Sequence, residues 1–248
     1  MNHSAPDIGR ISALVANGRL REARVACQAA LASHPNNALG HILAAQVFEK
    51  CSDHAAALNS AREAVRLAPN HAPGHQVLAM LLEANARFPE ACDSYRDALR
   101  CDPTLELSAL NLANRLRFSG DPRGAVGVLD DAVFRNPESV PLLNNLGAFL
   151  IEVGESRRAA DVLNSAYRLA PQAPQVLANM GRAEHNLGRL EAAEYNYRKA
   201  LESDPASIDA ITGLAALAEN NQRLDEAKRL LDAARRIAPH HPRLRLIT

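Results

Sequence analysis

The sequence predicts an all-α protein made of seven copies of one 34-residue helix–turn–helix unit. Seven prolines lie 34 residues apart without interruption: Pro35, Pro69, Pro103, Pro137, Pro171, Pro205 and Pro239. Two other places of this repeat are alanine in all seven copies, and only 4% of the residues are aromatic. Alanine recurring on a helical face predicts helices that cross closely, and a repeat of this length is typical of a helical array.

If each of these prolines is given place 32, the chain divides into a leader (1–3), seven units and a tail (242–248). The units are 4–37, 38–71, 72–105, 106–139, 140–173, 174–207 and 208–241. We expect one elongated domain in which each unit packs on its neighbours.

Within each unit the local signals predict two helices. The first covers about fourteen places and ends near place 15, where glycine is suited to the turn. Place 15 is glycine in four units: Gly18, Gly120, Gly154 and Gly188. The second helix follows a turn, as at Asp121 and Pro122, which predict an N-cap and a first helical residue. The place-32 proline then lies in the connection to the next unit.

Three places carry small residues, which predict the sites of close helix contact. Place 20 is Ala23, Ala57, Ala91, Ala125, Ala159, Ala193 and Ala227, and place 27 is Ala30, Ala64, Ala98, Ala132, Ala166, Ala200 and Ala234. Place 8 is small in every unit after the first: Ala45, Ala79, Ala113, Gly147, Gly181 and Ala215.

Composition excludes several classes of function. The 28 basic and 28 acidic residues balance, so the bulk charge favours neither nucleic acid nor a membrane surface as a partner. No membrane span or signal peptide is evident, which makes the cytoplasm the expected compartment. The four cysteines form no Cys-x-x-Cys pair, and we expect small buried hydrophobes rather than disulfides.

Motifs for chemistry are absent from the sequence. It contains no phosphate-binding glycine loop, no nucleophile elbow and no zinc-protease motif. His71 and His75 are four residues apart, but Pro73 and Gly74 separate them, and a solvated loop is the better interpretation for them and for His240 and His241. We therefore expect no catalytic residue, no metal and no cofactor in this chain.

The small residue at place 8, the alanines at places 20 and 27 and the proline at place 32 together resemble the tetratricopeptide repeat (TPR) family. The resemblance implies a right-handed superhelical solenoid whose first helices line a concave groove for a polypeptide. The chain departs from the family at its aromatic places. Because place 11 is Glu184 in the sixth unit and Ala218 in the seventh, we expect these two repeats to be the looser ones.

In the family the groove is lined mainly by places 2, 5, 6, 9, 12 and 13. Place 6 holds three successive asparagines, Asn111, Asn145 and Asn179, which is similar to the asparagine column of protein O-linked N-acetylglucosamine transferases. A side-chain amide carries both a donor and an acceptor, so this lining predicts capture of an extended backbone. The other predicted groove residues are Asn114, Asn144, Gln175, Arg182 and Asn186.

Other interpretations of the groove remain open. Each asparagine could bond a neighbouring side chain or face water without a ligand. The N-terminal units offer an apolar lining that includes Leu43, Val77 and Met80, although core packing is the better interpretation for Leu43 and Val77. No Lys or Arg stands at places 2, 5 or 6, which disfavours a receptor for chaperone C-terminal tails.

The C-terminal end lacks an evident polar cap. Leu230, Leu231 and Ile237 on the last helix have no predicted partner. In the tail, Leu244, Leu246 and Ile247 resemble the start of a further element. We expect that the chain either continues into a longer protein or self-associates, for instance as a homodimer, through this end.

Two functions follow from these observations. The first is a scaffold that binds a protein or an extended peptide in the TPR groove. The alternative is the N-terminal substrate-recognition domain of a larger modifying enzyme, a protein O-glycosyltransferase or a sulfotransferase.

Overall fold

The computed structural model of the protein describes residues 8–240 and residue 244. In these residues the chain forms fourteen α-helices and no strand, which confirms the all-α repeat fold. The first helices of the units are α1 (Ile8–Ala16), α3 (Ala38–Lys50), α5 (Ala72–Ala84), α7 (Glu106–Phe118), α9 (Val140–Glu152), α11 (Pro174–Asn186) and α13 (Ile208–Asn220). The second helices are α2 (Leu20–Ser33), α4 (His54–Leu67), α6 (Phe88–Cys101), α8 (Pro122–Arg135), α10 (Ser156–Leu169), α12 (Leu190–Ser203) and α14 (Leu224–Ile237).

The predicted leader, the start of the first unit, His241 and the tail apart from Leu244 lie outside the described residues. The structure divides into two compact units, one ending at Leu116 and the other beginning at Arg117. The regular repeat does not indicate this division, because the same 34-residue period runs through it.

Every first helix ends in the same turn. Place 15 has a positive φ in all seven units, including Ser52 (59°), Ala86 (57°) and Gln222 (59°), which are not glycine. In six units the amide of place 16 donates to the carbonyl of place 11, as from Asp53 to Phe48 at 2.9 Å, which closes the helix end. Glycine adopts this backbone conformation freely, whereas a Cβ makes it unfavourable. The four predicted glycine turns are therefore confirmed, and three further turns carry strain.

The predicted helix starts are also confirmed. Asp121 Oδ1 accepts a hydrogen bond from Gly124 N at 2.8 Å, and Pro122 is the first residue of α8. Pro89 lies in the first turn of α6. These residues satisfy or remove amides that have no partner within the helix.

The small places form the interior of each unit. All place-20 and place-8 residues are buried, and place 27 is buried in every unit except at Ala30, which is half-buried. In the first compact unit the core includes Ala44, Ala45, Val47 and Phe48. Because these places lack bulk, the helices of each pair pack closely and larger neighbours fill the remaining space.

Tyr197 occupies the interior between α11 and α13. Its side chain is 1% exposed, and it lies against two glycines. A Cβ added at Gly181 would be 2.6 Å from ring carbons Cδ1 and Cε1, and a Cβ added at Gly213 would be 2.3 Å from Cζ. Ordinary carbon–carbon contacts are about 3.5–4.0 Å, so this ring requires glycine on both helices.

Leu244 covers part of the last helix pair. Leu244 is 5% exposed and packs with Ile211 and Leu231, and Leu230 packs against the same cluster. The expectation that Leu230 and Leu231 have no partner is therefore wrong, because α13 and α14 present an apolar face that residue 244 covers. Ile237 is 46% exposed. Self-association through this end stays a prediction.

The two residues that depart from the aromatic place 11 are accommodated in different ways. Ala218 is completely buried. The Glu184 carboxylate lies 3.1 Å from the Arg189 guanidinium, at the turn between α11 and α12. Looser packing of the last two repeats stays a prediction.

Candidate functional site

The structure divides the predicted groove residues between its two compact units. Asn111 and Asn114 lie on α7 in the first unit. The other six lie in the second unit, on α9 and α11: Asn144, Asn145, Gln175, Asn179, Arg182 and Asn186. Helices α9 and α11 pack against each other, as do α11 and α13, so the second unit presents its first helices side by side.

Asn111 is held by a chain of hydrogen bonds from the interior. Its Nδ2 donates to Tyr95 Oη at 2.9 Å, and Tyr95 Oη donates to Glu83 Oε2 at 2.8 Å. Glu83 also forms an ion pair with Arg115, at 3.0 Å. Burial and the hydrogen bond to Glu83 raise the pKa of Tyr95. Because an ionised carboxylate only accepts, the phenol must donate to it and accept from Asn111. This leaves the Asn111 carbonyl oxygen without a hydrogen bond to the described part of the chain.

Asn145 bonds within its own helix. Its Nδ2 donates to the Pro141 carbonyl at 2.9 Å, one helical turn earlier. A backbone carbonyl only accepts, so the amide is oriented with nitrogen towards the helix and Oδ1 away from it. Asn145 is half-buried.

Asn179 connects two helices. Its Nδ2 donates to Asn144 Oδ1 at 2.9 Å, and its Oδ1 accepts from Arg182 Nη1 at 3.2 Å. Asn179 is 8% exposed. Both the donor and the acceptor of this side chain are therefore hydrogen-bonded within the protein, and the side chain joins α9 to α11.

The three asparagines of the column thus have three different partners, and place 24 of the preceding unit explains why Asn111 differs from the other two. Before Asn111 this place is Tyr95, whose hydroxyl reaches the asparagine. Before Asn145 and Asn179 it is Leu129 and Leu163, which offer no hydrogen-bonding group. Those two asparagines bond the helix backbone and other side chains instead. The alternative interpretation, that an asparagine bonds a neighbouring side chain, describes Asn111 and Asn179, whereas Asn145 bonds a backbone carbonyl.

The remaining predicted amides are unengaged. Asn114, Gln175 and Asn186 make no hydrogen bond with the described part of the chain. Gln175 and Asn186 are exposed, and Asn114 is half-buried. These side chains keep both donor and acceptor available to a ligand.

Sequence reasoning missed several polar contacts of the first helices. His185 Nε2 lies 3.0 Å from Asn220 Nδ2, which links α11 to α13. Arg117 stacks on Phe149, with 5.5 Å between its Cζ and the ring centroid, and its Nη1 lies 3.6 Å from Glu152 Oε2. In each of these two contacts, the first residue stands at place 12 of one unit and its polar partner at place 13 of the next. The repeat numbering could therefore have predicted both contacts.

The N-terminal lining is mainly core. Leu43 and Val77 are half-buried and pack against the core of the first unit, which confirms the packing interpretation. Met80 is 44% exposed.

The interpretation of His71 and His75 as solvated loop residues is wrong for His75, which lies in α5. His75 is 5% exposed, and its Nε2 lies 2.8 Å from the Pro69 carbonyl, in the connection between two repeats. Residues 8–240 and 244 contain no group of three or more His, Cys, Asp and Glu side chains suited to hold a metal ion. None of the helices in the same residues is both long enough and apolar enough to cross a lipid bilayer.

Comparison with known proteins places these features in a family. The tetratricopeptide repeat profiles match residues 8–72, 45–106, 110–174 and 150–208 in one version and 187–247 in another. No curated protein matches the sequence significantly.

Several solved structures share the fold. The C-terminal part of a TPR protein from Cytophaga hutchinsonii is 13% identical, with a TM-score of 0.73, and the match covers 96% of this chain and 98% of that one. The pilF protein of Pseudomonas aeruginosa is 18% identical, with a TM-score of 0.64, and the match covers 84% and 95%. MamA from Desulfovibrio magneticus is 18% identical, with a TM-score of 0.59, over 69% and 97%. With profile matches along nearly all of its length, the chain belongs to the tetratricopeptide repeat family.

Proposed function

We propose that this protein is an interaction scaffold that binds extended polypeptide through side-chain amides on its first helices. The observation that carries the proposal is the arrangement on α9 and α11, where Asn144 is bonded to a fixed Asn179 and the next residue on α9, Asn145, is held by the Pro141 carbonyl. Gln175 and Asn186 extend the same polar lining along α11 and are unengaged. The surface defined by these five residues is called the amide face below.

The chemistry of the amide face suits a peptide backbone. Each peptide group carries one N–H and one C=O, and each side-chain amide supplies the complementary acceptor and donor. The bonds of Asn179 to Asn144 and Arg182 hold this surface in one arrangement before any ligand arrives. Such preorganisation lowers the entropy lost on binding.

In this arrangement the residues of the amide face have different roles. Asn179 is nearly buried and orients its neighbours, while Asn145, Gln175 and Asn186 meet the ligand. In the first unit, Asn111 and the unengaged Asn114 provide a smaller set of amides on α7. In the alternative function, the array recognises substrates for an attached modifying enzyme, and these residues would bind polypeptide in the same way. This alternative stays a prediction.

The test replaces the solvent-facing amides and measures binding of unrelated extended peptides. The variant carries Asn145→Ala, Gln175→Ala and Asn186→Ala, and helix content should be unchanged or higher because alanine is the better helix former. Fluorescence anisotropy with a panel of labelled, unstructured twelve-residue peptides should show weaker binding for every peptide that wild type binds.

The matched control is Asn164→Ala, an exposed and unengaged asparagine on the second helix α10. It should bind as wild type does. If the triple variant binds the panel with unchanged affinity, the amide face is not the binding surface.

A further inference from the structure

The hydrogen bonds around Asn179 determine which atom of each neighbouring amide points outwards. Arg182 can only donate, so the oxygen of Asn179 must face it, at 3.2 Å from Nη1. The nitrogen of Asn179 then faces Asn144, which has to accept with Oδ1 at 2.9 Å. Asn144 is left with its Nδ2 group, a donor of two hydrogens.

The neighbouring residue has the opposite orientation. Asn145 donates its Nδ2 to the Pro141 carbonyl, and its Oδ1 remains as an acceptor. Asn144 Nδ2 and Asn145 Oδ1 have no hydrogen-bond partner in the described part of the chain. Neither atom is buried, because the buried side-chain atoms without a partner do not include them. Both atoms are therefore open to solvent.

We propose that Asn144 and Asn145 form a donor–acceptor pair of fixed polarity that binds the C=O and N–H of one residue of an extended polypeptide. In an extended chain these two groups of one residue point to the same side, as in the ladder pairs that exchange both hydrogen bonds. Asn144 Nδ2 donates to the ligand C=O, and Asn145 Oδ1 accepts from the ligand N–H.

The proposal makes Arg182 a positioning residue. Its guanidinium sets the orientation of Asn179, and through it that of Asn144, without itself meeting the peptide group. The inference rests on the proposed function, and it adds the polarity of the site and the residue that determines it.

The orientation is tested first, without ligand, by NMR of side-chain amide groups in ¹⁵N-labelled full-length protein. The NH₂ group of Asn179, which is bonded and nearly buried, should exchange with solvent more slowly than that of Asn144. Arg182→Met should accelerate exchange at Asn179, and Arg182→Lys, which retains a donor, should restore much of the protection. Protection at Asn144 instead of Asn179 would overturn the assignment. Arg157→Met, at an exposed arginine on the second helix α10, should change neither signal.

The binding role is tested with two isosteric variants that add the same charge at adjacent positions. Asn144→Asp replaces the outward donor by an acceptor, whereas Asn145→Asp keeps an outward acceptor and loses only the hydrogen bond from Nδ2 to the Pro141 carbonyl within α9. With a fluorescein-labelled peptide of four Thr-Ser-Gln repeats, Asn144→Asp should weaken binding at least tenfold and Asn145→Asp by less than threefold. Equal losses, or the reverse order, refute the polarity.

The two arms separate the possible failures. If wild type does not bind the Thr-Ser-Gln peptide but the exchange pattern is as expected, the proposed function fails and the orientation of the amides holds. If wild type binds and both aspartate variants bind equally well, the amide face binds polypeptide by another route and the donor–acceptor pair is wrong. Circular dichroism of each variant confirms that helix content is retained.

Discussion

Gly213→Ala should destabilise the second compact unit, although alanine is the better helix former. The added Cβ would lie 2.3 Å from Tyr197 Cζ, more than 1 Å inside ordinary contact. The ring cannot retreat, because Gly181 on α11 already lies against its other carbons, with a Cβ position at 2.6 Å. Overpacking of this kind costs about 1–3 kcal/mol, and the gain in helix propensity offsets about 1 kcal/mol. We expect a net loss of up to about 2 kcal/mol.

The chain provides a matched control in Gly127, an exposed glycine of α8 whose added Cβ would meet nothing within 4 Å. Gly127→Ala should raise the stability by about 1 kcal/mol from helix propensity alone. Urea unfolding followed by circular dichroism gives the two midpoints. Because repeat arrays unfold in parts, hydrogen exchange of α11 and α13 should locate the loss. If Gly213→Ala is as stabilising as Gly127→Ala, the close approach of Tyr197 to α13 is refuted.

Three further predictions concern the turns, the tail and a buried thiol. Ala86→Gly should stabilise the protein by about 1 kcal/mol in urea unfolding, because the φ of 57° at Ala86 is unfavourable for a residue with a Cβ. An unchanged unfolding midpoint would argue against strain at that turn. Leu244→Ala should lower the free energy of unfolding by about 2–4 kcal/mol and accelerate hydrogen exchange in α14, because Leu244 is 5% exposed in its cluster. Exchange at the wild-type rate in this variant would show that residue 244 does not cover the last repeat. Burial raises the pKa of the Cys27 thiol from 9.0 to about 11, so Cys27 should resist iodoacetamide at pH 8 until urea unfolds the chain. The free energy of unfolding should fall as the pH rises from 9 to 11, because the thiol ionises freely in this range only in the unfolded chain. Labelling of Cys27 at equal rates in the folded and unfolded states would contradict this prediction.

The repeat numbering predicted the fold because packing at each place is the same in every unit. Alanine at places 20 and 27 leaves room for the neighbouring helix whatever else the unit contains, so the interior follows from spacing alone. Place 15 was predicted in the four units where it is glycine. Its recurrence at Ser52, Ala86 and Gln222 follows from the turn between the helices, which requires the same backbone whichever residue is there.

The candidate site was predicted only as a set of residue types. Numbering placed Asn111, Asn145 and Asn179 on equivalent helix positions, but it did not give their partners. Those depend on whether the preceding unit provides a hydroxyl, as Tyr95 does, and on which groups can only donate or only accept. The sequence did contain a signal for the hydroxyl, because a tyrosine at place 24 precedes the unit whose place 6 is Asn111. The orientation of Asn144 depends on three side chains on two helices, and no single-residue pattern contains it.

The contact of Tyr197 with glycines in two consecutive units has an evolutionary consequence. If a 34-residue unit were duplicated or exchanged by recombination between successive prolines, Tyr197 would be separated from Gly213 and would meet a larger residue at place 6. Only exchanges that carry the segment from 181 to 213 as one block keep the ring and both glycines together. The heritable module at this end of the array is therefore about as long as one repeat, but its boundaries fall within α11 and α13 rather than at the prolines.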